Sequence, residues 1–474
     1  MVEVKPLNAI VYNQEKVNMD DVIAPPYDVI LDDYREELHK RSDYNIVKLI
    51  LAKGSKDLSD PNNRYDEAKK NFHQWLEEKV LIKLEKPCIL YILQKYTTED
   101  GKNIVRKGFI ARNKIEDFST KKILPHEFTM GGPKEDRLNL TKACQANFSQ
   151  IFMVYSDPEK QIEQAVESQF YMPVSTLTPT LSPQGRGGNL TPFINVVDDN
   201  GVQNIVYKIE DEKTIALIEK VMADKTLLIA DGHHRYETAM NYRDFIKEKS
   251  QPITLSPDNP INYVMSYFTN LDDENLLVFP THRIITKSNK MRIEPYVLLE
   301  KVKKYFDVKD FVFNSRNKNE VKAKFLQSIE DENEKQISMG LYMKNVNKFY
   351  LLTLKLQSRS GIPARQQSIN EILDGFELPD VLRKLDLTVL HKVLITKELG
   401  YTEEEQMAQE GIKYIKQESE AFDLIDSGKA EASFIMAYPK IKDIKEISEA
   451  GYRMPQKSTY FYPKLLSGIV INPL

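Results

Sequence analysis

The stretch Leu227-Leu228-Ile229-Ala230-Asp231-Gly232-His233-His234-Arg235-Tyr236-Glu237 leaves few folds open. Its four leading apolar residues read as a buried strand. The pattern through Tyr236, Met240 and Phe245 reads as a helix, with only Asp231-Gly232 between the two. A strand delivered so abruptly into a helix implies a sheet covered by helices, which makes the chain α/β. The same turn carries chemistry. First-turn N–H groups of a helix lack internal acceptors and sit at the positive end of its dipole, so they favour an anion. Gly232 permits the close backbone approach that a phosphate requires. His233, His234 and Arg235 add side-chain donors, Arg235 in bidentate geometry. Asp231 can cap the helix or orient an attacking hydroxyl. Without a ligand, the same residues would make an Asp-capped helix with a solvated arginine and two surface imidazoles. A transition-metal site is disfavoured, because adjacent helical side chains point about 100° apart and no HExxH occurs. Magnesium accompanying a nucleotide needs only a carboxylate or two.

Other boxes carry candidates of the same kind. In Pro25-Pro26-Tyr27-Asp28-Val29-Ile30, a stiff proline turn holds the Asp28 carboxylate, a general base or simply a turn-former. His126 and Glu127 precede Gly131-Gly132-Pro133-Lys134-Glu135-Asp136-Arg137, where Pro133 suits the first turn of a helix ending near Phe148. Lys134 and Arg137 fall three apart and could clamp phosphate oxygens; otherwise they belong to an exposed charged face. No GxxxxGK[ST] or GxSxG motif is present. Lys457 and Ser458 are weaker phosphate contacts. Asp386 and His391 read as a satisfied polar pair at a core edge.

At 474 residues the chain exceeds one ordinary core, so two or three domains are expected. A hairpin is expected from Cys88–Leu93 to Ile104–Ala111, helices near 31–41 and 64–80, and strands at 151–155, 263–268, 348–354 and 434–438. The non-periodic Ser, Thr, Pro and Gly of residues 175–188 predict a mobile surface loop without function, whose deletion leaves folding nearly unchanged. A net charge of -4 offers no global basic field, so no general nucleic-acid binding is expected. Cys88 and Cys144 read as free core thiols. With no apolar leader and no run long enough to span a bilayer, a cytoplasmic location and no membrane partner are expected.

The boxes at 25–30, 132–140, 230–239 and 455–461 together resemble a widespread prokaryotic family catalogued as domain of unknown function 1015, over nearly the whole chain. Within them, the Asp-Gly-His-His-Arg turn resembles the signature of the ParB and sulfiredoxin-like fold, where such a turn binds nucleotide phosphates. One branch of that fold, the free-serine kinases, uses ADP as phosphoryl donor and an upstream acidic residue as base. The resemblance implies a ParB/sulfiredoxin-like core with large insertions and an additional α/β lobe. It also implies that Asp231, His233, His234 and Arg235 surround phosphates, with Asp28 or Glu127 as the base. Sulfiredoxin activity is disfavoured, because His stands where a Cys is needed in the turn. The expected organisation is a core part at 1–160, an insertion at 161–200, a second core part at 201–295, the extra lobe at 296–420, and a tail at 421–474 returning to the core. The expected function is an ADP- or ATP-dependent phosphotransferase, with Mg²⁺, acting on a small metabolite such as a hydroxy amino acid. A ParB-type nucleotide-binding regulator and a metal-dependent hydrolase are the alternatives.

Overall fold

A computed structural model describes residues 1–98, 101–127, 131–169, 191–286, 294–355, 369–455 and 457–474. Residues 175–188 lie outside them. The chain is a mixed α/β protein that divides into two compact units, each assembled from separated stretches. The first comprises Met1–Pro125, Thr129–Leu277 and Pro463–Leu474; the second comprises His126–Phe128 and Val278–Tyr462.

The first unit is built on nine strands: β1 (Val4–Lys5), β2 (Ile89–Thr97), β3 (Asn103–Lys114), β4 (Ile123–Pro125), β5 (Ile151–Tyr155), β6 (Ile194–Val197), β7 (Gln203–Ile209), β8 (Leu227–Asp231) and β9 (Tyr263–Asn270). They run in the order β4-β8-β5-β9-β3-β2-β7-β6, with β1 paired to β3. The sheet is mixed: β8 pairs parallel with β4 and antiparallel with β5. The expected β2–β3 hairpin is present, Thr97 facing Asn103, and its turn uses Gly101 in the left-handed region at φ 83°. β5, β8 and β9 are almost wholly buried, β5 and β8 through apolar runs and β9 with Ser266, Thr269 and Asn270 buried among its apolar residues. Phe109 of β3 stacks on Phe268 of β9 at 4.9 Å in the centre of that core.

Helices α1 (Arg64–Glu77), α2 (Gly131–Cys144), α3 (Glu212–Ala223) and α4 (His233–Ser250) belong to this unit, and α2 packs on both α1 and α4. Tyr236 anchors α4. It is fully buried, stacks on Phe118 at 5.5 Å, and its hydroxyl donates to the Glu116 carbonyl at 2.8 Å while accepting the Glu116 N–H at 2.9 Å. Cys88 and Cys144 are buried free thiols, each pushed up to about 12 by burial.

The second unit holds a six-stranded antiparallel sheet of β10 (His282–Thr286), β11 (Phe306–Val312), β12 (Ser338–Met343), β13 (Lys348–Leu354), β14 (Ile412–Ile415) and β15 (Ala430–Met436), in the order β11-β13-β12-β15-β10-β14. Helices α5 (Lys318–Asn333) and α6 (Glu418–Asp426) pack on it around an aromatic cluster of Phe313, Phe325, Phe349 and Phe422. Among the described residues, no helix is long and apolar enough to cross a membrane.

Candidate functional site

The last residues of β8 do not run straight into the turn. Ile229 pairs with Met153 and Asp231 with Phe152, so the register shifts between them and the bulge re-aims the end of the strand. Gly232 then takes the N-cap position of α4 at φ 92°, ψ 28°, a conformation that favours glycine. No side chain caps this 18-residue helix. The expectation that Asp231 is the cap is therefore corrected. Asp231 has turned to cations: its Oδ2 accepts from Arg235 Nη2 at 2.8 Å and its Oδ1 from Lys464 Nζ at 3.1 Å. Burial alone would raise its pKa. Lys464 and Arg235 outweigh burial and hold the carboxyl well below the usual carboxylate range.

Arg235 is not a solvated donor either. Its side chain is 11% exposed, its other terminal nitrogen donates to the Gln150 carbonyl, and it lies so close over Gly232 that a Cβ there would meet Nε at 2.9 Å. His233 is buried and His234 half-buried. The Nδ1 of His234 is buried with no hydrogen-bond partner. Burial pushes this imidazole below its usual range, against Glu237 and Asp28 and with Lys134 and Arg235, so it is predominantly neutral near pH 7.

The proline turn lies in the same unit. Tyr27–Val29 form a single 3₁₀ turn after Pro26, with Asp28 exposed. The Tyr27 hydroxyl is pushed up to about 12 by burial and Asp28, opposed by Arg137 and Arg235. The Asp28 charge thus reaches both Tyr27 and His234. Arg137 stacks over the Tyr27 ring at 4.2 Å, donates to the Ile50 carbonyl at 2.8 Å and to Asp136 Oδ2 from Nε at 3.0 Å. Asp136 also accepts from Arg64 at 3.2 Å and Tyr65 at 2.9 Å. Lys134 pairs with Glu237 of α4. Lys134 and Arg137 therefore do not form a paired clamp, because each turns to a different carboxylate. A cavity of about 60 Å³ is lined by Tyr27, Arg137, Arg235 and Thr238.

The remaining candidates gather in the second unit. Glu127 Oε1 accepts from the Ser458 N–H at 3.2 Å and the Thr459 hydroxyl at 3.4 Å. His126 Nε2 is 2.8 Å from Thr459 Oγ1, and the Lys457 carbonyl accepts from Arg283 at 3.3 Å. The segment read as one box at 126–137 is thus divided between the units. Asp386 and His391 do not pair with one another: His391 accepts from Arg283 Nε at 3.0 Å and lies 2.6 Å from Gln406 Oε1. Sequence reasoning missed Lys464, Tyr27 and the Gln150 carbonyl. Nothing local to residue 464 points to residue 231, more than two hundred positions away. Among the described residues, no group of three or more His, Cys, Asp or Glu side chains is arranged to hold a metal ion.

Comparison with solved structures finds low similarity. A free serine kinase in complex with AMP matches with a TM-score of 0.32 and 12% identity, covering 74% of this chain and 88% of that one. A mutant free serine kinase in complex with ADP gives 0.33 and 11% over the same shares. A conserved hypothetical protein from Pyrococcus furiosus gives 0.29 and 13%, over 72% of this chain and 87% of that one. Such scores leave function to the geometry of the chain itself. No curated protein matches. At the family level, the model described as protein of unknown function (DUF1015) matches residues 4–388, and the chain belongs to that family.

Proposed function

We propose that the first unit binds a nucleotide by its phosphates at the Gly232–Arg235 turn and passes a phosphoryl group to a small hydroxyl-bearing metabolite, such as a hydroxy amino acid. The observation that carries this reading is an uncapped 18-residue helix entered through a left-handed glycine, with a buried, partnerless His234 Nδ1 beside its first turn. Uncapped N–H groups and a helix dipole are the groups that receive phosphate oxygens, and a glycine at this bend keeps a side chain out of their way. A buried polar atom without a partner is costly, and an incoming phosphate oxygen would supply the missing partner once His234 presents Nδ1–H.

Asp231 holds Arg235 and Lys464 on one carboxylate, which fixes two cations in place before any ligand arrives. Asp28, exposed and felt electrostatically by His234, is the carboxylate we assign to take the proton from the attacking hydroxyl. Mg²⁺ accompanying the phosphates would neutralise charge on the transferred group.

Titration calorimetry of the full chain with ADP and ATP in Mg²⁺ tests the reading, followed by incubation with a panel of hydroxy amino acids. The expected result is saturable binding that His234→Ala weakens roughly tenfold, the scale of one lost hydrogen bond to a charged group. Asp28→Asn should keep nucleotide affinity and abolish turnover. Absence of nucleotide binding overturns the proposal; binding without turnover of any hydroxyl acceptor overturns its catalytic half and favours a nucleotide-binding regulator.

A further inference from the structure

The second unit contains a buried charge, Arg283, and a half-buried one, Asp386, that the phosphate reading does not use. Arg283 lies on β10, an interior strand, and is fully buried. Its donors go to neutral acceptors: Nε to His391 Nε2 at 3.0 Å, Nη1 to the Thr281 carbonyl, and Nη2 to the Lys457 carbonyl at 3.3 Å. His391 cannot offset the charge. Its Nε2 accepts from Arg283, so Nδ1 carries the proton toward Gln406, and burial with Arg283 pushes its pKa down to about 3. Gln406 is held in turn by Thr396 at 2.9 Å and the Tyr401 carbonyl at 3.2 Å. The relay orients the guanidinium while supplying no negative charge. No carboxylate oxygen of the described residues lies within 4.0 Å of Arg283, and three of its N–H groups are used where an arginine has five.

Asp386 is the complementary case. Its carboxylate accepts from the Leu387 N–H at 2.6 Å and from Asn333 at 3.4 Å, and no cation among the described residues pairs with it. Burial pushes it up to about 6. Both side chains line one cavity of about 50 Å³, together with Thr281, Asn333, Lys440, Ser458 and a second acidic residue, Asp443, whose like charge acts against that of Asp386. Lys440 is already bound to the Asn333 carbonyl at 2.8 Å and to Glu334 at 3.5 Å, and the neighbouring Lys384 is exposed.

Arg283 and Asp386 act on one another electrostatically, and Glu127 acts on Arg283, yet neither charge has a bonded counter-charge. That is expensive, and two of opposite sign on one cavity wall would ordinarily close on each other. Arg283 is held back from Asp386 by His391, Thr281 and Lys457. We propose that this cavity binds a small zwitterion, an α-amino acid with a short side chain, whose carboxylate meets Arg283 and whose ammonium meets Asp386. A zwitterion satisfies both charges at once, whereas an anion or a cation alone leaves one unbalanced. The cavity's size restricts the side chain to a few atoms. The Lys457-Ser458 turn, shaped by Arg283 and tied to Glu127, closes one side of it. None of these residues belongs to the Gly232–Arg235 turn, so the inference stands apart from the phosphate reading.

The test uses the full chain without nucleotide. Calorimetric titration compares glycine, L-alanine and L-serine with glycolate, which lacks the amine, and ethanolamine, which lacks the carboxylate. The inference predicts saturable binding of at least one of the three amino acids, with both single-charge analogues roughly tenfold or more weaker. Asp386→Asn should weaken the amino acid by a similar factor and leave glycolate unchanged. Failure of all three amino acids to bind, equal binding of the analogues, or an Asp386→Asn protein that binds as the parent does would overturn it. Should that variant fail to fold, as judged by circular dichroism, the ligand panel on the parent decides alone.

Discussion

Asp231 accepts from two cations, and this changes what substitution at the turn does. A solvated Arg235 would be silent in a stability measurement, whereas the Arg235 seen here is nearly buried and bonded to Asp231 and the Gln150 carbonyl. Arg235→Ala should therefore cost about 2 kcal/mol in a urea melt, because it strips a partly buried pair and leaves a carbonyl unsatisfied. A loss below ~0.5 kcal/mol would contradict that account. The depressed pKa of Asp231 also has a pH consequence. Its charged form is favoured by folding, so the stabilisation is fully present above the unfolded carboxylate value of about 3.9 and is lost as pH falls below it. Asp231→Asn should flatten the acid limb of the stability curve below about pH 4. Gly232→Ala should destabilise by about 1 to 3 kcal/mol, from the positive φ and the collision with Arg235. The residue types at the turn were legible in the sequence because they are contiguous. Their partners were not, since Lys464 and Gln150 are brought there only by tertiary structure.

At the scale of elements, the strand–glycine–helix unit and the hairpin of β2 and β3 were legible, because apolar runs and Asp-Gly turns are local signals. The bulge at the end of β8 and the wide helical turns of Leu390–Glu398 were not, since a shifted register and a π-helical spacing leave no distinct apolar period. Those wide turns include His391, which the sequence paired with Asp386 and the structure pairs with Arg283. Helix α5 carries its own pH signature. Glu330 accepts the Tyr438 N–H at 3.2 Å, yet burial pushes its carboxyl up to about 7. Folding then favours the protonated form, so its contribution is complete below the unfolded value of about 4.3 and is lost as pH rises toward 7. Glu330→Gln should remove that decline. Urea melts at pH 5 and pH 8 check it: the parent should lose more stability across the interval than the variant does.

At the scale of the whole molecule, neither unit is a continuous stretch of chain. Residues 463–474 return to the first unit, pairing Ser467 with Ala24, Ile471 with Ile10 and Asn472 with Asn147, and bringing Lys464 to Asp231. Removing them should lower the melting temperature by many degrees, which differential scanning calorimetry would read directly. The sequence predicts a returning tail at 421–474, whereas only Pro463–Leu474 of that stretch belongs to the first unit, and neither that boundary nor the delivery of Lys464 is legible locally, because long-range pairing has no periodic trace. The central claim, that phosphates sit at the Gly232–Arg235 turn, is open to one direct measurement. The chain has seven histidines, so ¹⁵N-histidine labelling of the full protein gives few amide resonances to assign. On titration with ADP and Mg²⁺, the His233 and His234 amides should shift in a saturable way while those of His73 and His282 stay in place. Saturation with ADP that leaves His233 and His234 unmoved would contradict the account.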